Sequence, residues 1–331
     1  MTPDTPDFAN RTTAPLPTYA PIPQDAFGPA LNAQGYHVAH IDGALHWVTD
    51  GGYQAMFLAT RDGVVLVDAP PSIGHNLHRA IADVTARTGT PGTVTHLVYS
   101  HAHADHIAAA GLFGEDVVRI GHVETARLLR EYVDADRPIP TVTFSDRYTL
   151  EVGGERLELA YHGPNHTPDN IFIHVPDYDT LYVVDVLYPG WAPFQNLALS
   201  QDIPSWIDTG RRILDYEWTR FLGGHVGRIG TRDDAQLHVA YLEDLVAEAT
   251  TVLHEMDATP YFQAYGAAGN AGAIMKHYWA DAARAAAAPV VERYRDRLAA
   301  VDVCTEDNAF TVISSLIHDH NITGPAFGIH T

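Results

Sequence analysis

Hydrophobic and polar positions change character along this chain, and each change predicts a different kind of element. Residues 1–34 place Pro15, Pro17, Pro21, Pro23 and Pro29 among Thr and Ala with no apolar period. That composition predicts an extended arm, either disordered or laid across the body or a second subunit. From Gly35 short β-prone runs follow at 36–41, 45–49, 55–59 and 64–67, separated by Asp-Gly or Gly-Gly turns. They predict an antiparallel meander. The fourth run ends in Asp68, and Ala69-Pro70-Pro71 turns the chain toward a helix over 76–87. A buried strand is expected at 94–99, and a helix is expected to begin over 107–112. Beyond it, strands at 117–120, 141–144, 148–151, 157–161, 171–175, 181–184 and 220–222 alternate with helices at 124–133 and 204–216. Strand, polar terminus, helix is the recurring order, which makes the fold class α/β.

From Asp233 the pattern becomes helical and Ala-rich. Leu237, Ala240, Tyr241, Leu245, Ala249, Val252 and Leu253 keep the helical period. A Gly-rich break at 266–272 precedes a helix over 273–287, Pro289 opens another to 301, and a last one spans 307–318. The expected organisation is thus a Pro-rich arm (1–34), a catalytic core (35–232) and a C-terminal helical extension (233–331) that caps the site, makes a dimer interface, or both.

Composition narrows the function. The 331 residues exceed the usual single-domain size, although one elaborated α/β domain with appendages accommodates them. A hydrophobic fraction of 46% with 18% charged residues is the balance of a soluble globular protein. The formal charge is −21 and Lys276 is the only lysine, so phosphate-rich polymers are disfavoured and no nucleic-acid partner is expected. Cys304 is the single cysteine, which excludes an intrachain disulfide and a thiolate-rich zinc site. It reads as a small buried apolar residue. No signal-peptide pattern opens the chain, and no run approaches the roughly 20 apolar residues of a membrane span. A cytoplasmic protein without a membrane partner is the default expectation.

Candidate chemistry is concentrated at Ser100 to His106, reading Ser-His-Ala-His-Ala-Asp-His. Histidine fills 20 of 331 positions. At that frequency a His-x-His-x-Asp-His window arises by chance in roughly half a percent of such chains, so the window is read as a metal motif. His101 and His103 are two apart and point to the same side of extended backbone. Asp105 and His106 follow where the chain turns toward a helix and can face a second position. One short loop could therefore feed two metals. His166, Asp185 and His225 stand at or just after the ends of predicted strands, on the same sheet edge as the motif. Imidazole nitrogen and carboxylate oxygen are zinc ligands, recognised by count and spacing.

In this order and context the sequence resembles the metallo-β-lactamase superfamily over residues 36–227. The resemblance implies an αββα four-layer sandwich carrying the C-terminal helical extension. It implies two zinc ions per chain, one held by His101, His103 and His166, the other by Asp105, His106 and His225, with Asp185 bridging them. Asp68 matches the family's aspartate that supports the ligand loop. Gly224-His225-Val226-Gly227 resembles the family's Gly-His-Gly signature, with Val226 intervening. Asp185 occupies the place of the cysteine ligand used by true β-lactamases of the group, which argues against antibiotic hydrolysis.

A hydroxide shared by two zinc ions is then the expected nucleophile, and no Ser-His-Asp triad is needed. Asp105 can both ligate and relay a proton to the leaving group. Tyr188 lies three residues after Asp185, as in the acyl-homoserine-lactone hydrolases of the superfamily, and is a candidate donor to the reacting carbonyl. With Trp191 and Phe194 it is also a candidate substrate wall, and aromatic packing is the bland alternative for all three. His162, His122 and the pair His318 and His320 read as surface or packing residues. The leading expectation is hydrolysis of a small ester, a lactone above all, with an apolar body, by a homodimer acting on a small molecule. Alternatives are a thioesterase like glyoxalase II, hydrolytic displacement of a halide from an aromatic ring, iron chemistry like that of persulfide dioxygenases or flavodiiron oxidoreductases, and a non-enzymatic binding module.

Overall fold

In the computed structural model, which describes residues 16–322, the predicted meander forms one flank of a seven-stranded sheet. Strands β1 (His37–Asp42), β2 (Leu45–Thr49), β3 (Gln54–Thr60) and β4 (Gly63–Val67) pair antiparallel in sequence order. Parallel strands β5 (Val94–Val98), β6 (Val118–His122) and β7 (Val142–Phe144) complete it. Helices α1 (Asn76–Thr88) and α3 (Val123–Tyr132) make the crossovers that parallel pairing requires. A second, five-stranded sheet runs β12-β11-β10-β9-β8, built from β8 (Arg147–Val152), β9 (Glu155–Ala160), β10 (Phe172–Val175), β11 (Thr180–Tyr182) and β12 (Arg220–Leu222).

The fully apolar strand β4 follows from burial on both faces. Val64 and Leu66 pack toward α1, while Val65 and Val67 enter the slab between the two sheets with Ile173, Val175 and Val184. The outer face of the second sheet, including Phe172, Leu181 and Phe221, packs on α5 (Ile203–Asp215), α6 (Arg232–Glu255), α8 (Ala271–Tyr294) and α9 (Val301–His318). Helix, sheet, sheet, helix is the observed layer order, the expected αββα sandwich with C-terminal helices.

Three local expectations are corrected. The helix expected after the motif is only the four-residue α2 (Ala104–Ile107) followed by a 3-10 turn. Pro289 does not open a helix but lies inside α8. The buried stripe Ala282, Ala283, Ala286, Val290, Tyr294 continues across it, and that packing holds the helix together despite the missing N–H. A short helix, α7 (Thr259–Tyr265), stands where no element was expected.

The segment after Trp191 contains α4 (Gln195–Leu199), a single turn wound the unusual way. Asn196, Leu197, Ala198 and Leu199 have φ of 55°, 51°, 57° and 58°. Left-handed backbone costs an L-residue about 1–2 kcal/mol, so the turn persists only because its surroundings fix it.

Of the arm, residues 1–15 lie outside the described residues. The rest lies across the body: Ala20 N–H donates to Asp302 at 2.7 Å, and the Trp191 indole donates to the Ala26 carbonyl at 3.1 Å. Among the described residues no helix is long and apolar enough to cross a membrane.

Candidate metal centre

Both sheets deliver ligands to one rim. β5 ends at Val98, and the chain runs through Ser100 into His101, His103 and α2, which carries Asp105 and His106. From the second sheet come His166 before β10, Asp185 after β11 and His225 after β12. The loop after β5 is anchored by Asp68, whose carboxylate is buried and accepts the Ser100 N–H at 2.8 Å and the Tyr182 hydroxyl at 2.9 Å. Asp68 thus holds loop backbone rather than orienting an imidazole. Burial pushes its pKa up to about 6, against the pull of His106 and the bonds from Ser100 and Tyr182.

The seven expected ligands converge. His101, His103, His166 and Asp185 form one group and Asp105, His106 and His225 another, with the ligand atoms of each group within 4.8 Å of one another. Asp185 reaches both groups. Its Oδ2 lies 3.4 Å from His101 Nε2, 3.3 Å from His166 Nε2 and 3.1 Å from His106 Nε2, and its Oδ1 lies 2.9 Å from His225 Nε2. Asp105 Oδ2 lies 3.5 Å from His106 Nε2 and 3.6 Å from His225 Nε2.

Electrostatics suit a cation at Asp185, His101 and His166. At His106 burial is outweighed by Asp185 and Asp105, which raise its pKa to about 9, so this ring would give up a proton on ligation. Burial opposes ionisation of Asp185, but His106 and His166 and the hydrogen bonds of His106 and His225 outweigh it, and the carboxyl stays well below its usual range. Burial holds His101 well below the ordinary imidazole value and brings His166 down to about 4, keeping both rings neutral as ligands must be. His101 Nε2 is buried without a hydrogen-bond partner. Its other nitrogen, Nδ1, meets Ser100 Oγ at 3.0 Å, the arrangement that leaves Nε2 free to ligate. An orphaned imidazole nitrogen amid nitrogen and carboxylate donors is a fit for zinc-type ligation.

Tyr188 is buried, its hydroxyl 3.4 Å from Asp185 Oδ1, and its ring packs on Phe194 with centroids 4.6 Å apart. Burial, reinforced by Asp185, raises its pKa well above the ordinary value, so it remains a donor. Tyr188 and Phe194 line a cavity of about 350 Å³ over the ligands. Trp191 is not among the lining residues; its indole faces the arm. Gln195, Ala198 and Leu199 of α4 line the cavity instead.

Several supporting residues carry no local sequence signal. Tyr53, just before β3, places its hydroxyl 3.3 Å from Asp105 Oδ2 and its ring 4.5 Å from that of His225. Gln54 donates to the carbonyls of Val226 and Arg228 and so holds the loop of His225. Val226 itself has φ 54°, the left-handed region that favours glycine. Arg137 donates to the Ala102 carbonyl, between two ligands, at 2.7 Å. Trp206 of α5 donates to the Asp185 carbonyl at 2.8 Å. His318 and His320 join no ligand group among the described residues.

Known proteins resemble this chain in sequence and fold. A profile of the metallo-beta-lactamase superfamily matches residues 48–249. The chain is 26% identical to the 2,4-dinitroanisole O-demethylase subunit alpha of Nocardioides sp. (strain JS1661), over 64% of this chain and 63% of that protein. It is 30% identical to a type 2 metallo-beta-lactamase of Bacillus sp. (strain 170), over 38% of this chain and 47% of that protein. The chain thus spans under two thirds of the length of these curated relatives. A metallo-beta-lactamase structure from Pontibacter korlensis superposes with a TM-score of 0.54 at 21% identity, over 63% of this chain and 99% of that one. With the profile covering more than half of its length, the chain belongs to the metallo-beta-lactamase superfamily, whose members are generally metal-dependent hydrolases.

Proposed function

We infer that this protein is a dinuclear zinc hydrolase of small esters, lactones foremost, with an apolar body. The observation that carries the reading is Asp185, a single carboxylate within 3.4 Å of imidazole nitrogens from both ligand groups. His101, His103 and His166 would hold one ion and Asp105, His106 and His225 the other. Bound there, the metals would acidify a water toward neutral pH and polarise the scissile carbonyl.

The chain's own residues do the rest. Tyr188 donates to the oxygen of the reacting carbonyl, which gains negative charge as the bond to the nucleophile forms. Asp105, whose side chain is 44% exposed, is the ligand open enough to hand a proton to the leaving group. Phe194 and Leu199 exclude water from the apolar end of the substrate. The formal charge of −21 supports an uncharged substrate over a polyanionic one. A homodimer working on a small molecule, without nucleic acid or membrane, completes the reading.

A second reading has its own support. The likeness to an O-demethylase subunit and the aromatic lining of Tyr188 and Phe194 favour hydrolytic removal of an alkoxy group from an electron-poor aromatic ring.

Metal analysis of protein purified without added zinc, followed by a screen of lactones, thioesters, phosphodiesters, haloaromatics and nitroaryl ethers for metal-dependent proton release, decides between them. Two equivalents of zinc with lactone turnover are expected. Iron near one equivalent would overturn the hydrolase, and turnover of nitroaryl ethers alone would select the second reading. Tyr188→Phe is expected to lower turnover about 100- to 1,000-fold with metal content unchanged; unaltered turnover would remove Tyr188 from the mechanism.

A further inference from the structure

Among the side chains by which α9 meets the wall of the metal cavity, one is fully buried and bonds backbone at two points. Asn308 on α9 is fully buried. Its Oδ1 accepts the Leu197 N–H at 2.8 Å, and its Nδ2 donates to the Pro193 carbonyl at 2.8 Å, so one carboxamide grips the chain on both sides of Phe194 and Gln195. Thr311, further along α9, lies 3.3 Å from Asn196 Oδ1 and donates to it. These bonds brace a turn in which four consecutive residues other than glycine are left-handed, a conformation that persists only when over-determined. Two of the four, Ala198 and Leu199, face the cavity. The turn also touches a ligand: Ser200 Oγ donates to the Leu197 carbonyl at 2.6 Å and lies 3.3 Å from His166 Nδ1. The superfamily match ends at residue 249, so α9 lies outside it.

We propose that Asn308 is a positioning residue for substrate selection: it holds the left-handed turn Asn196–Leu199 as the wall that receives an uncharged apolar substrate body, and through Ser200 it steadies the His166 ring. Phe194, Ala198 and Leu199 give that wall an apolar face, and Gln195 supplies its polar group. Only the kinetic part of the test rests on the hydrolase reading.

In the metal-loaded protein, Asn308→Ala is expected to speed hydrogen exchange at the Leu197 amide about 100-fold, with β5 and β11 unchanged. The visible bands of the cobalt-loaded form should shift as His166 reorients. Discrimination between an ester with a long apolar body and its methyl counterpart should fall about tenfold. Adding Ala198→Gly, which relieves the left-handed backbone at one position, should restore part of the Leu197 protection. A mere packing defect at Asn308 would not respond to a glycine in α4. Unchanged exchange at Leu197, or exchange blind to the glycine, would overturn the proposal. If Asn308→Ala does not fold, Thr311→Val carries the same exchange test with a smaller expected change, about fivefold, and no change there counts against the proposal. If wild type turns over neither ester, the hydrolase reading fails while exchange and cobalt spectra still decide the role of Asn308.

Discussion

Asp185→Asn is expected to empty the metal centre and to lower turnover by more than about 100-fold, because even partners one bond removed from metal ligands cost 10- to 100-fold. Asparagine keeps the shape but removes the charge that four imidazoles surround at 2.9–3.4 Å. No other described carboxylate contacts both ligand groups, so nothing replaces it. Metal content by elemental analysis, beside circular dichroism to show a retained fold, checks the expectation. Full metal occupancy with full turnover would refute the ligand assignment.

Asp68→Ala is expected to destabilise the fold at the base of the ligand loop. It strands one buried donor, the Ser100 N–H, and takes from the Tyr182 hydroxyl one of its two acceptors, leaving the Gln54 carbonyl at 3.1 Å. An unsatisfied buried donor costs about 1–3 kcal/mol, a sizeable share of a typical domain's stability. The pH dependence has a definite sign. The folded-state pKa of Asp68, about 6, lies above its unfolded value, so the native chain binds the proton more tightly. Stability contributed by this group is therefore greatest below about pH 4, declines as pH rises to about 6, and is level above. Because the buried histidines titrate in both proteins, urea unfolding of wild type and variant should show the stability difference between them narrowing as pH rises from about 4 to about 6, and a variant as stable as wild type would contradict the anchoring role.

The ligand set was legible in the sequence because it is locally dense or sits at strand ends. His101 to His106 occupy one loop, and His166, Asp185 and His225 each follow a run whose β character is plain. The supporting cast was not legible, because its partners are distant in sequence. Asn308 meets Leu197 across 111 positions, and no local period in α9 marks that contact. Nothing in the residue types of Gln195 to Leu199 announces a left-handed turn. Trp191 looked like wall material by composition alone, yet the arm claims its indole. Pro289 misled for a related reason: intrinsic preference predicts a break, and the alanine stripe packed on both sides overrides it.

Each of the two ligand groups draws residues from both sheets: His101 and His103 against His166 and Asp185, Asp105 and His106 against His225. The slab between those sheets is largely apolar, crossed by the hydrogen bonds of Tyr182 to Asp68 and Gln54. An ion in either group would therefore act as a rivet through the sandwich, so that holding metal and holding the layers together become one equilibrium. A chelator would then lower the stability of this chain as well as its activity, shifting its unfolding midpoint downward while the fold persists.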